Sequence, residues 1–147
     1  MRYRLTEVPE SDVAAMNAEL QRAGLPVVDP SQEQCGLFCL RGDDDRVVAY
    51  AGLQGDGGDV LLRSVVVLPE FRAGGVATYL LKAVSAKAAQ LGALRLWLLT
   101  TTAESFFARC GFKKMDRSAA PGAIASTSEF ANICPASAVC MSKALVA

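Results

Sequence analysis

The residues best suited to chemistry cluster in one stretch. Arg72, Ala73, Gly74, Gly75, Val76 and Ala77 follow an apolar run ended by Pro69 and precede a segment in which Leu80, Leu81 and Val84 recur at helical spacing. A glycine turn that opens a helix is an anion cradle. Glycine accepts positive φ and lets backbone approach a ligand, and the first helical N–H groups have no internal partner and sit at the positive end of the dipole. A diphosphate suits such a turn, and Arg72 adds a fixed cationic fork. Two glycines before a helix also serve as a plain strand-to-helix turn.

Other polar groups stand out against apolar surroundings. Arg63 is the only charge in the apolar run 61–68. It reads either as a bidentate clamp on a substrate carboxylate or as an edge residue reaching solvent, and Ser64 turns to the opposite face. Thr100, Thr101 and Thr102 end an apolar run, where ligands of α/β proteins collect, although helix capping also explains one of them. No histidine is present, so Ser–His and Cys–His nucleophiles are excluded. The five cysteines include no CxxC pair, so no zinc site and no metal is expected, and free thiols are.

These residues need elements to hold them. Residues 3–8, 35–41, 47–53, 61–68, 94–99, 112–115 and 136–145 read as strands. Ser11 and Asp12 can cap a helix that carries Val13, Met16 and Leu20 and stops at Gly24. The spacing predicts a long helix over 71–91. Thr101 and Glu104 have capping-box spacing and predict another over 102–109, stopped by Gly111. A short helix is expected over 121–127. Residues 42–45 form a hairpin turn between two strands of a meander, and residues 25–34 form a loop.

The 147 residues make one domain, residues 1–147, and 52% hydrophobic content supplies a core. Zero net charge argues against a nucleic-acid surface. No apolar run reaches membrane-spanning length and the start lacks the apolar run of a signal peptide, so no membrane partner and a cytoplasmic location are expected.

The turn is more specific than two glycines. Arg72, Gly75 and Ala77, preceded by Val67-Leu68-Pro69, resemble the Arg/Gln-x-x-Gly-x-Gly/Ala acetyl-CoA motif of the GNAT N-acetyltransferase superfamily. Ala73 stands where the first glycine usually is, and neighbouring Gly74 keeps the turn flexible. The order strand, loop, helix, strand, then Gly111-Phe112 fits as well, so the resemblance spans nearly the whole chain. It implies an α/β (α+β) fold with a mixed, mostly antiparallel sheet of six to seven strands flanked by helices. A splayed parallel strand pair would lie at the cofactor site. It further implies acetyl-CoA as cosubstrate, held by residues 72–77, by the backbone of Val65, Val66 and Val67, and by Phe107.

The resemblance also assigns roles. A backbone amide of the splayed strand, centred on Val66, would meet the oxyanion. The tyrosine that protonates the leaving thiolate in many relatives is replaced by Phe107. Cys110 or water could substitute, and a small buried residue is the plainer reading of Cys110. Glu129, Tyr50 or a bound water could take the amine proton.

The segments 61–72 and 96–112 and the tail 116–141 together resemble the small arsenic-resistance-associated N-acetyltransferases. Residues 99–112 are also similar to the acetyltransferase domain of N-acetylglutamate synthases. Both imply a small-molecule amine of amino-acid type as acceptor, arsenic-containing in the first case, with Arg63, Ser64, Thr100 and Thr101 around it and Glu129 or Ser137 helping. Acceptors of another kind, a protein N-terminus among them, and a non-catalytic acetyl-CoA-binding module remain alternatives. Cys134 and Cys140 are soft ligands in type, but read as structural thiols. The last strand offers an edge to a second copy, which leaves a homodimer open.

Overall fold

A computed structural model describes residues 2–31, 35–55, 57–133 and 137–145. Seven strands form one sheet in the order β1-β2-β3-β4-β5-β7-β6. They are β1 (Arg4–Glu7), β2 (Cys35–Arg41), β3 (Val47–Gln54), β4 (Asp59–Val67), β5 (Arg95–Thr100), β6 (Lys113–Met115) and β7 (Val139–Ala144). Among the paired strands, β4 and β5 are parallel and the rest antiparallel. This is the mixed, mostly antiparallel sheet expected from the resemblance.

The helices are α1 (Val13–Arg22), α2 (Val76–Gln90), α3 (Glu104–Arg109) and α4 (Gly122–Ala125). Val76, Leu80, Leu81, Val84 and Ala88 give α2 one apolar stripe, which packs with Phe107 of α3 on Val60, Leu62, Leu96 and Leu98. On the other face, Met16 and Leu20 of α1 cover Leu37, Cys39, Tyr50 and Val66. Beside them Ile124 and Phe130 cover Leu61 and Trp97. Each fully buried leucine contributes about 2 kcal/mol of transfer free energy.

Three boundaries differ from expectation. The long helix starts at Val76, not residue 71, because Pro69–Phe71 form a 3-10 turn and Gly74 and Gly75 have φ of 107° and 81°. The capping-box reading of Thr101 fails. Helix α3 starts at Glu104, and the Thr100 hydroxyl accepts from Ala103 N at 3.0 Å. After α4 the chain makes a π-helical turn, Glu129–Ile133, for which the sequence carried no signal.

Strand β4 holds one irregularity that sets the site. Tyr50 pairs with Val66 and Gly52 with Arg63, so Ala51 alone faces both Ser64 and Val65. This is a β-bulge, and Ser64 takes φ of 60° to make it. The bulge reverses the alternation of side chains. Before it Val60 and Leu62 face α2; after it Val65 and Val67 do, while Val66 joins the α1 side. Unbroken alternation would have put Val66 under α2 instead.

Candidate active site

The parallel strands β4 and β5 separate. Their pairing runs only from Asp59↔Arg95 to Leu61↔Trp97, yet β4 continues to Val67 and β5 to Thr100. β5 remains paired with β7 along its other edge to Thr100, so the opening lies between β4 and β5 alone. It forms a cleft of about 830 Å³.

The β4 wall of this cleft is backbone. Leu68 N donates to Val48 O at 2.9 Å, and Val66 lies two residues back opposite Tyr50. In an antiparallel ladder both therefore turn their peptide groups to β3, and Val67 between them turns its N–H and C=O into the cleft. The carbonyl of Val65 faces the same way. The expectation that centred the oxyanion donor on Val66 is corrected accordingly: its amide belongs to the β3 ladder.

At the end of β4 the chain enters the glycine turn. Arg72 Nε donates to Val67 O at 3.0 Å, which fastens the turn to the strand. Gly75 is the N-cap of α2, and the first helical bond runs from Tyr79 N to Gly75 O. The N–H groups of Val76, Ala77 and Thr78 precede any helical acceptor. A Cβ built on Gly74 or Gly75 would meet nothing within 4 Å. The glycines are thus required by their φ, not by crowding, and the space before them is open. Arg72 and Ala77 line the cleft. Open space, helix amides and a guanidinium fit the diphosphate of a coenzyme A-type ligand.

The opposite end of the cleft is polar and buried. Arg63 Nε lies 2.9 Å from Glu129 Oε2, and the two side chains are 0% and 8% exposed. Arg63 also donates from Nη1 to Gln54 Oε1 at 3.0 Å and from Nη2 to Val27 O at 3.3 Å. Its stem crosses Gly52, where a Cβ would meet Arg63 Cγ at 3.4 Å. One guanidinium therefore ties together the central strand, the end of β3, the loop after α1 and the π-helical turn. The side-chain amide of Asn17 secures the same loop, donating to Val28 O at 2.9 Å and accepting from Val28 N at 2.8 Å. Arg63, Ser64 and Glu129 line the cleft, as do Pro26 and Arg22. The involvement of Gln54, Asn17 and Arg22 was not read from the sequence.

The remaining candidates divide. Thr100, Thr101 and Phe107 line the cleft, and the Thr100 hydroxyl also accepts from Ala103 N just ahead of α3. Phe107 packs edge-on against Phe106 and Phe112. Cys110, at the far end of α3, instead borders a separate hollow with Lys82, Arg109 and Lys143, so the assignment of Cys110 as thiolate acid has no support from its position. Tyr50 is buried among Met16, Leu20 and Val66, outside the cleft lining. Burial, with Cys39, Glu19 and Asp12 adding to it, raises the Tyr50 phenol above its ordinary pKa. The phenol stays protonated at neutral pH and is no base. Ser137 is exposed and does not line the cleft. Cys134 lies outside the described residues. Burial raises the thiol of Cys140, which disfavours a thiolate ligand there. Among the described residues no group of three or more Cys, Asp or Glu stands ready for a metal, and no helix is long and apolar enough to cross a membrane.

Comparison with known proteins agrees with this geometry. The model of the acetyltransferase (GNAT) domain matches residues 34–114, more than half of the chain. An uncharacterized N-acetyltransferase of Mycobacterium tuberculosis is 43% identical over 75 residues, 48% of this chain and 48% of that protein. The chain thus spans about half the length of the curated relatives it matches. N-acetylglutamate synthase from Neisseria gonorrhoeae, solved with coenzyme A and N-acetyl-glutamate, superposes with a TM-score of 0.79 at 19% identity, over 100% of this chain and 36% of that one. A Mycobacterium tuberculosis protein solved in complex with CoA superposes with a TM-score of 0.78 at 19% identity, over 97% and 99% of the two chains. With the splayed strands, the glycine turn and the matched family model together, the chain belongs to the GNAT acetyltransferase family.

Proposed function

We propose that the chain is an acetyl-CoA-dependent N-acetyltransferase whose acceptor is a small amine of amino-acid type. The observation that carries this reading is the continuity of the parts. One strand supplies a free backbone edge inside the splay, then runs directly into the glycine turn and the N-terminus of α2. Two of the structural neighbours were solved with coenzyme A.

Acetyl-CoA supplies the acetyl group as a thioester; the chain's own residues do the rest. Amides at 74–77 and Arg72 hold the diphosphate. The amide and carbonyl of Val67 and the carbonyl of Val65 take the hydrogen bonds of the pantetheine arm as an added strand would. The oxyanion donor is the amide of Val65, where the ladder breaks next to the polar end of the cleft. Glu129 receives one proton from the acceptor ammonium. The nitrogen lone pair then forms the C–N bond as the C–S bond breaks, the second proton leaves with sulfur as the thiol, and Glu129 returns its proton to solvent. A thiol of pKa about 8.5 departs without a tyrosine at position 107.

Thiol release from acetyl-CoA against a panel of free amino acids and amino-acid-like organoarsenicals tests the reading. The organoarsenicals enter on the resemblance to arsenic-resistance-associated proteins. Turnover with a carboxylated amine is expected. No binding of acetyl-CoA refutes the function. Binding with silence across the panel moves the assignment to a macromolecular acceptor or, as Phe107 would suit, to a non-catalytic acetyl-CoA-binding module.

A further inference from the structure

Two charged groups of the polar end, Arg63 and Glu129, are already paired with each other, while Arg22 at its rim pairs with Glu19. Arg63 and Glu129 both line the cleft, yet Arg63 is covered to 0% side-chain exposure with Glu129 against it at 2.9 Å. Glu129 is held on a π-helical turn of five residues, whereas Arg63 sits at the bulge of the central strand and is anchored further by Gln54 and Val27. The carboxylate is therefore the partner mounted on the short, separately connected element. A buried ion pair tolerates the loss of one partner badly, because the other is left charged and dry. A ligand that brings only an ammonium leaves Arg63 bare, and one that brings only a carboxylate leaves Glu129 bare. A ligand that brings both charges close together re-pairs each of them.

We propose that the Arg63–Glu129 ion pair is a gate over the acceptor seat, opened only by a zwitterion. The acceptor carboxylate replaces Glu129 on Arg63, and the displaced Glu129 carboxylate takes the acceptor ammonium. This rests on the function proposed above and sharpens it: the pair selects α-amino acids and excludes amines and carboxylates that carry one charge alone. It also places the ammonium on the group that accepts its proton.

The test uses the full chain with coenzyme A or acetyl-CoA present. Glycine, L-alanine and L-glutamate are compared with their carboxamides as acceptors, and with propionate and glutarate as carboxylate-only ligands followed by calorimetry. In the wild type, kcat/KM for the amino acid should exceed that for its carboxamide by about 10²-fold or more, since an unmatched buried polar partner rejects strongly, and propionate and glutarate should not bind. In Glu129→Gln the pair is already broken without change of shape. Propionate or glutarate should then bind through Arg63, and preference for the ammonium should vanish. A merely structural role for the pair predicts no gain of carboxylate binding.

Carboxamides turned over as well as the amino acids overturn the gate, as does Glu129→Gln without carboxylate binding, or silence from all three amino acids. The wild-type comparison stands by itself if the variant does not fold. Failure of the proposed function has a different signature, which is no binding of coenzyme A.

Discussion

Gly75→Ala separates a ligand cradle from a plain turn. The residue caps α2 with φ of 81°, a conformation that costs an L-residue about 1–2 kcal/mol. Against that, alanine loses less backbone entropy on folding than glycine, by about 0.5–1 kcal/mol. The added Cβ meets nothing within 4 Å, so no steric term enters, and the net destabilisation should be about 0.5–1 kcal/mol. For a chain of this size that lowers Tm by about 2–3 °C. The strain is present whether or not a ligand is bound, so it cancels from the dissociation constant. What does not cancel is the space before the turn. If a diphosphate lies there, the methyl group displaces it from at least one amide. A hydrogen bond to a charged group is worth about 1.5–3 kcal/mol, which weakens coenzyme A binding about 10- to 100-fold. Calorimetric titration of coenzyme A, beside thermal denaturation of the same variant, reads both quantities. A lower Tm with an unchanged Kd would refute the cradle and leave only the turn.

Two further outcomes follow from the sheet and its buried groups. Ser64→Val should destabilise by more than about 2 kcal/mol, because a β-branched residue resists φ of 60°, while Ser64→Gly should stay within about 1 kcal/mol of wild type; equal denaturation midpoints for all three would show that the bulge is not held at residue 64. Tyr50 and Cys140 are both raised by burial. Below the unfolded values both are neutral in either state, and above them the unfolded chain ionises first, so the contribution of these two groups is full below about pH 9 and is lost as pH rises through the folded values. Tyr50→Phe should flatten the decline above the ordinary tyrosine value of 10.0; a decline identical to wild type would remove Tyr50 from it.

Local patterns sufficed for several features. The apolar run of β4 with its Pro69 stop, the helical stripe of α2 and the Arg72–Ala77 turn were legible because each depends on residues close in sequence. So were strand β2, its hairpin and the isolation of Arg63, since a charge in an apolar run is visible as type alone. The start of α2 was misplaced because helical periodicity does not register the positive φ of Gly74 and Gly75. That the hydroxyl of Thr100, and not of Thr101, takes an amide ahead of α3, with Ala103 as its N-cap, is not visible in residue spacing.

The rest was decided by tertiary structure. Whether Arg63 is a clamp, an edge residue or half of an ion pair depends on where residues 23–28 and the π-helical turn come to lie, and they arrive from opposite ends of the chain. The bulge at Ser64 arises from the mismatch of register between β3 and β4, and it determines which amides face the cleft. Cys110 and Tyr50 were separated from the site by the faces on which their elements pack. The sequence determined the chemistry available and the glycine turn that opens α2. Only the packing of distant segments determined which charges meet at the other end of the cleft, because Coulomb and hydrogen-bond terms act over a few ångströms in space and leave no fixed spacing along the chain.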